Sequence, residues 1–352
     1  MTRKKINFRE LVSKLYRRYL LDAMSAMGLG LFASLIIGLI ISQISQIPCL
    51  EFLKPFGDVL SASSPVVGAA IGVAIAYGLK VVPLAMFSSA ATGALGYQLG
   101  GPVGSYFAAV VGAEIGNWIA GKTKLDIIMI PLFTIISGCL VGTWMAPGIN
   151  AVIKALQGFL EVATTFQPIP MGIIVSVVFG LALTAPISSA ALAAMIFTVP
   201  EGQVMGEGLM LAAGAATVGC CAQMVGFAVS SYRENKMAGL IAQGLGTSML
   251  QVGNILVHPA ILVPPTLASA IVGPLATTIF QMKNAGSAAG MGTSGLVGQF
   301  GTWAVMSGEG ALIVLGKMLL LHIILPAVLS LLISEFMRKK NWIKEGDMLL
   351  KL

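Results

Sequence analysis

The run Gly208–Tyr232 (GLMLAAGAATVGCCAQMVGFAVSSY) decides the fold class, because it carries no charged residue over a length that crosses a lipid bilayer. Gly and Ala are its commonest residues, and small residues let helices approach one another closely within a membrane. The adjacent Cys220 and Cys221 are interpreted as packing residues, since neighbouring cysteines form only strained disulfides. The run therefore predicts a transmembrane helix that packs against other helices.

The composition extends this prediction to the whole chain. Of its 352 residues, 57% are apolar and 10% are charged, whereas soluble domains carry about 25% charged residues. The mean hydropathy is +0.91. These values predict an all-α polytopic membrane protein, and they exclude a nucleic-acid-binding module, a disulfide-rich secreted domain and a disordered regulator.

The net charge of +7 comes largely from the two ends, with seven Lys and Arg in the first 18 residues and five in the last 15. Basic clusters beside membrane spans mark cytoplasmic flanks, so both termini are expected in the cytoplasm and the number of crossings should be even. We expect an amphipathic N-terminal segment (residues 1–21), one transmembrane domain (22–335) and a cytoplasmic C-terminal tail (336–352).

Gaps between charged residues predict about eight to ten transmembrane helices, together with re-entrant or broken segments. Gly100–Pro102 should divide one long apolar run into spans over Val81–Leu99 and Val103–Ala120. A further span should end near Pro147, and the more amphipathic stretch Ala151–Phe166 is interpreted as an interfacial helix.

Two stretches are poor candidates for ordinary spans. Pro186 should break the helix in Leu183–Gln203, and Asn284–Thr302 (NAGSAAGMGTSGLVGQFGT, the Gly-rich segment) has low helix propensity. The Gly-rich segment is predicted to be re-entrant and to line a solute site, with an extramembrane loop as the alternative. A weak sequence similarity between the stretches after Pro186 and Pro265 suggests a two-fold internal pseudo-repeat.

Ionisable residues in apolar surroundings are functional candidates, because their burial in lipid is costly. Glu114, Asn117 and Glu309 are candidates for a proton or polar-solute site, with ion pairs or solvated turns as the alternative. His258 could exchange a proton, whereas His322 is interpreted mainly as a hydrogen-bonded packing residue. Metal-ligand spacing, a P-loop and a nucleophile–base arrangement are all missing from the sequence, so we predict no catalytic residue, no metal and no cofactor.

The run Ser287–Gly298 (SAAGMGTSGLVG) and the run Thr184–Ala191 (TAPISSAA) resemble a family of stand-alone membrane proteins related to the IIC component of the sugar phosphotransferase system, which includes perfringolysin regulator-like proteins. The resemblance extends from about Tyr19 to Glu335. It implies an all-helical homodimeric permease in the inner membrane of a bacterium. Phosphoryl donors of the IIA and IIB type would be separate chains, because no such domain is evident here.

The leading hypothesis is a permease that moves a small polar solute, a sugar or related metabolite, by alternating access. Hydroxyl and amide side chains suit such a solute, since each can donate and accept hydrogen bonds. The predicted solute-binding residues are Ser188, Ser189, Asn254, His258, Asn284, Thr293, Ser294 and Gln299. The alternatives are a membrane sensor without transport and a IIC subunit that depends on separate IIA and IIB chains.

Overall fold

The computed structural model describes residues 8–47, 49–61, 64–185, 188–199 and 204–350. It is 83% helical, and the described residues contain no strand. The all-α polytopic prediction is therefore confirmed. Pro186, Ile187 and the two chain ends (1–7 and 351–352) lie outside the described residues.

Sixteen α-helical segments occur in the described part of the chain. They are α1 (Phe8–Leu15), α2 (Met24–Leu31), α3 (Ile37–Ile44), α4 (Lys54–Val59), α5 (Pro65–Gly78), α6 (Pro83–Ile119), α7 (Asp126–Phe166), α8 (Pro168–Thr184), α9 (Ser189–Phe197), α10 (Glu207–Ser230), α11 (Tyr232–Ile241), α12 (Val252–Val257), α13 (Val263–Thr277), α14 (Val297–Met306), α15 (Ala311–Met318) and α16 (Leu325–Lys339).

Short π-helical and 3-10 turns connect several of these helices. The π-helical turns are Tyr16–Ala23, Phe32–Ile36, Ala242–Gly246 and Leu319–Ile324. The 3-10 turns are Glu51–Leu53, Ser248–Gln251, Pro259–Leu262, Ser294–Leu296 and Ser307–Glu309. Continuous helix therefore runs through α1–α3 and through α15–α16.

Five helical stretches of the described residues are long and apolar enough to cross a membrane. They are Val12–Ile44, Asp126–Phe166, Glu207–Ser230, Pro259–Thr277 and Ala311–Lys339. Three shorter apolar helical stretches accompany them: Pro65–Gly78, Pro168–Thr184 and Ser248–Val257. The exact number of crossings stays a prediction.

The expected break at Gly100–Pro102 is present, because Gly100 and Gly101 have non-helical backbone angles within α6. The expected end near Pro147 is wrong, since α7 continues as one helix of 41 residues to Phe166. A proline removes one backbone donor, whereas the two glycines of α6 provide backbone freedom as well, and Gly101 uses a φ of +58°. Proline alone is therefore a weaker stop signal than glycine plus proline.

The chain forms two compact units, of which the first comprises the residues up to Gly38 together with Pro55–Ala151. In this unit α5 packs tightly against α6 and against α2. The α5–α6 contact depends on small residues, since a side chain at Gly72 would collide with the Ser89 carbonyl, and one at Gly93 with the Gly68 carbonyl.

The second unit comprises Leu39–Lys54 and the chain from Val152 onward. Its centre is a group of three mutually packed helices, α8, α10 and α13, with α16 against α10 and α13. Helix α8 ends at Thr184 and α9 begins at Ser189, which brackets the expected break. The stretch after Pro265 instead lies in the first turns of α13, so its local structure differs from that of the helix break between α8 and α9.

Candidate functional site

The first half of the Gly-rich segment is non-helical backbone buried inside the second unit. The backbone N–H of Asn284 donates to the Met210 carbonyl of α10 at 3.2 Å. A side chain at Gly292 would collide with the backbone of Cys220, and Gly292 has a φ of +55°, which favours glycine. The composition of the segment thus permits it to lie directly against α10.

A cluster of polar side chains forms where this segment meets α10 and the turn Leu319–Ile324. Thr217 and Cys221 lie four residues apart on one face of α10. The Asn284 amide donates to the Thr217 hydroxyl and, at 3.1 Å, to the Gly298 carbonyl. Gln299 Nε2 lies 3.6 Å from Cys221 Sγ and 3.1 Å from His322 Nδ1. These five side chains are called the Asn284 cluster below, and Thr302 is counted with them because it is buried and follows Gln299 by three residues on α14.

Four polar atoms of the Asn284 cluster are buried without a hydrogen-bond partner. They are Asn284 Oδ1, Gln299 Oε1, Thr302 Oγ1 and His322 Nε2. Each unpartnered buried polar atom costs about 1–3 kcal/mol, and most such atoms in folded proteins are paired. With His322 Nδ1 accepting from Gln299, a neutral imidazole presents Nε2 as a donor. The cluster therefore offers hydroxyl-binding donors and acceptors that the protein itself does not use.

A groove of about 350 Å³ adjoins the cluster. Gln299 lines the groove, and its amide group also contacts His322. Gln43 is the other polar residue of a lining that is otherwise formed by Ile44, Ile47, Leu296, Phe300, Trp303, Leu315 and Met318. Gln299 is therefore the residue through which this groove and the buried cluster meet.

The predicted serines and Thr293 have structural roles at α9 and along the Gly-rich segment. Ser188 caps α9 by accepting from the Ala191 N–H at 3.1 Å, and the Ser189 hydroxyl donates to the Gly290 carbonyl at 2.7 Å. The Thr293 hydroxyl donates to the Gly244 carbonyl at 2.5 Å, and Ser294 begins a short 3-10 turn. Ser189 and Thr293 therefore hold the backbone of the segment that carries Asn284, whereas the Ser188 hydrogen bond lies within α9.

Asn254 and His258 contact the C-terminal segment (residues 341–350). The Asn254 amide donates to the Leu349 carbonyl at 3.0 Å. His258 Nδ1 lies 3.5 Å from a carboxylate oxygen of Asp347. Their contacts therefore belong to a different region of the second unit from the hydrogen bonds that define the Asn284 cluster.

The three candidates for a proton or polar-solute site all have protein partners. Glu114, in the first unit, accepts from Arg18 Nε at 2.6 Å and from the Tyr19 hydroxyl at 3.1 Å. Asn117 Oδ1 accepts from the Val82 N–H at 3.1 Å. Glu309 pairs with Lys317 at 2.8 Å. Within the described residues, no group of three or more His, Cys, Asp or Glu side chains could hold a metal ion.

Sequence reasoning found Asn284 and Gln299 but did not include Thr217, Cys221, Thr302 and His322. One signal was present: Thr217 and Cys221 are four residues apart in the charge-free run Gly208–Tyr232, and Gln299 and Thr302 are three residues apart in α14. His322 had no such signal, because its role depends on the distant Gln299.

A protein-family model described as "Phosphotransferase system, EIIC" matches residues 21–350. Searches of curated proteins and of solved structures find no significant match. The family match spans nearly the whole chain, and it agrees with the five helices that are long and apolar enough to cross a membrane. The chain therefore belongs to the EIIC family, the membrane-embedded sugar-transport component of the phosphotransferase system.

Proposed function

We propose that this EIIC protein carries a neutral sugar or polyol across the membrane by alternating access, and that the solute binds at the Asn284 cluster. The observation that carries the proposal is the set of four buried, unpartnered polar atoms next to non-helical backbone. Irregular backbone within a membrane protein is tolerated where it is buried or lines a solute path. A solute with several hydroxyl groups would pair these atoms.

The chemistry of the cluster favours hydroxyl groups over charged ones. Amide, hydroxyl and neutral imidazole groups both donate and accept, and none of them carries a full charge. An anionic solute would need a basic side chain, and the basic residue nearest in sequence to Asn284 is Lys283, which pairs with Glu207 at 2.7 Å. We therefore propose a solute without net charge.

Thr302 provides the cleanest test, because its hydroxyl has no partner in the protein. Thr302→Val keeps the side-chain shape and removes a buried, unpartnered hydroxyl, so the free energy of unfolding should rise by about 1–3 kcal/mol. Solute binding should weaken by about fivefold to tenfold, which corresponds to one lost hydrogen bond. Binding is measured as ligand-induced thermal stabilisation across sugars, polyols, nucleosides, amino acids and carboxylates.

The matched control is Thr278→Val, since the Thr278 hydroxyl, directly after α13, donates to the Pro274 carbonyl of that helix at 2.6 Å. It should leave solute binding unchanged. Equal binding by Thr302→Val, Asn284→Ala and the parent protein would contradict the proposed site. Selective binding of an amino acid or carboxylate, and of no sugar or polyol, would contradict the proposed solute class.

We also propose that IIA and IIB proteins act as separate chains, which family membership supports. Uptake into proteoliposomes should then increase when phosphoenolpyruvate and the partner proteins are supplied, and the solute should arrive phosphorylated. Uptake that is insensitive to these additions would contradict phosphoryl coupling while leaving the solute site intact. Binding without any uptake would favour a sensor.

We further propose a homodimer in a bacterial inner membrane with both termini in the cytoplasm. The basic residues near the chain ends, which include Arg338, Lys339 and Lys340, support this orientation through the excess of positive charge on cytoplasmic flanks.

A further inference from the structure

The C-terminal segment (residues 341–350) folds back onto the second unit. After α16 ends at Lys339, the chain reverses at Asn341, which has a φ of +59°. The side chains of Ile343 and Met348 are buried in an apolar cluster with Phe227, Ile261 and Met337. The segment thus fills an apolar pocket of the unit.

Three amide side chains hold the backbone of this segment. Asn235 Nδ2 donates to the Met348 carbonyl at 2.8 Å, and Asn235 Oδ1 accepts from the Leu350 N–H at 2.8 Å. Gln251 donates to the same Met348 carbonyl at 3.0 Å. Asn254 donates to the Leu349 carbonyl at 3.0 Å. We call Asn235, Gln251 and Asn254 the amide clamp, since they bind main-chain groups as a sheet edge binds an added peptide strand.

The amide clamp is connected to the segment that carries Asn284. Gln251 Nε2 also donates to Gln243 Oε1 at 2.8 Å. Gln243 lies in the π-helical turn Ala242–Gly246, whose Gly244 carbonyl accepts from Thr293. A continuous series of contacts therefore joins the C-terminal segment to the Gly-rich segment within one unit.

The elements between α10 and α13 are short and irregular: one ten-residue helix, a π-helical turn, two 3-10 turns and a six-residue helix. Short helices have little stability of their own and depend on tertiary packing. The C-terminal segment supplies such packing for them. Removal of the C-terminal segment should therefore make the elements between α10 and α13 more mobile. The backbone at Thr293, which bonds to Gly244 in these elements, should become more mobile as well.

We propose that residues 341–350 form a displaceable strap that fills a peptide-binding cleft formed by the amide clamp and thereby restrains access to the Asn284 cluster. The restrained site is the one put forward under the proposed function, so the inference rests on it. Release of the strap should speed the opening of the site without changing the groups that bind solute.

The first test truncates the chain after Lys340 and follows two readouts. Solute uptake should rise by at least about tenfold, because the truncation removes four hydrogen bonds to the amide clamp and the burial of Ile343 and Met348. The second readout needs no solute: in a Cys49→Ser, Cys139→Ser background, the buried thiols of Cys220 and Cys221 should react faster with a maleimide. A synthetic peptide of residues 341–350 should reverse both effects.

The second variant, Asn235→Ala, keeps the strap but removes the two hydrogen bonds that Asn235 makes with Met348 and Leu350. This variant tests the strap even if the truncated chain fails to fold. It should raise uptake and thiol reactivity, while Lys344→Gln, an exposed change within the strap, should alter neither. The proposed strap would be contradicted if a folded truncated or Asn235→Ala protein kept the parent thiol reactivity, or if the peptide failed to reverse the effects of truncation. Faster thiol reaction in a protein that transports no solute would retain the strap and reject only the proposed transport.

Discussion

Helices α7 and α10 are both long and apolar, yet they lie in opposite environments. Their most apolar 18-residue windows have mean hydropathies of 2.0 and 1.6, but 22% of the α7 window and 94% of the α10 window are buried. Hydropathy therefore identifies both as spans without separating them. The enclosed helix α10 is rich in small residues, whereas α7 is bulkier and slightly more apolar, so residue size contributes to which apolar helix is enclosed by protein.

Small residues act by allowing the backbones of neighbouring helices to approach closely. Added side chains at Gly214 and Gly219 of α10 would collide with the carbonyls of Met282 and Ser176, so these glycines allow main chain to touch main chain. In α7, nothing lies within 4 Å of a side chain added at Gly158, and Trp144 and Phe166 are exposed. Bulky residues of α7 are therefore available to face lipid.

The most destabilising substitution should be at the contact between α11 and α16, just beyond the C-terminal end of α10. Arg338 pairs with Glu234 at 2.7 Å, with side-chain exposures of 9% and 3%, and also donates to the Ser230 carbonyl. Arg338→Met would leave a buried carboxylate unpaired, which should lower the free energy of unfolding by about 3–5 kcal/mol. The measurement is denaturant-induced unfolding in detergent micelles.

A matched control links the same two helices. Arg233 and Glu335 form a pair of the same length, but their side chains are 63% and 30% exposed. Arg233→Met should cost no more than about 1 kcal/mol. Equal losses for the two arginine variants would show that burial does not distinguish these two ion pairs between α11 and α16.

Glycine-to-alanine substitutions in α10 and α7 should have opposite effects on the free energy of unfolding. Gly219→Ala places a methyl group against the Ser176 backbone, and overpacking of this kind should destabilise the protein by about 3 kcal/mol. Gly158→Ala should instead stabilise it by about 0.5–1 kcal/mol, because that position is open and Ala favours helix. Similar unfolding free energies for the two alanine variants would contradict the role given to residue size.

The smallest effect concerns the start of α10. The Glu161 carboxylate, on α7, accepts from the N–H groups of Gly208 at 3.0 Å and Leu209 at 2.6 Å. It thus caps the helix with both hydrogen bonds and negative charge. Glu161→Ala should lower the free energy of unfolding by about 1 kcal/mol, whereas Glu309→Gln, in a half-exposed ion pair, should change it by less. Identical thermal midpoints for Glu161→Ala and the parent would reject the cap.

Much of the fold could be predicted from local signals. The break at Gly100–Pro102 was predictable because it depends on adjacent residues, and the apolar run of α10 was predictable because a span needs length without charge. The continuity of α7 through Pro147 was not, since one missing donor is tolerated when both flanks remain helical.

The candidate site was predictable only in part. Asn284 and Gln299 stood out as polar residues in a Gly-rich stretch, but their significance rests on Thr217 and His322, which are distant in sequence. The contacts of Asn254 with Leu349 were hidden for the same reason. Hydrogen bonds between remote residues leave no periodic pattern in a sequence.

Gln299 has a consequence for how selective this protein can be. Its amide nitrogen is engaged by His322 while its oxygen is free, and a half-turn about the last side-chain torsion exchanges the two. The imidazole can follow by moving its proton from one nitrogen to the other. At the proposed solute site, this exchange would let one pocket meet a hydroxyl group as donor or as acceptor without any shift of backbone. We therefore expect epimers that differ in one hydroxyl direction to bind with similar affinity.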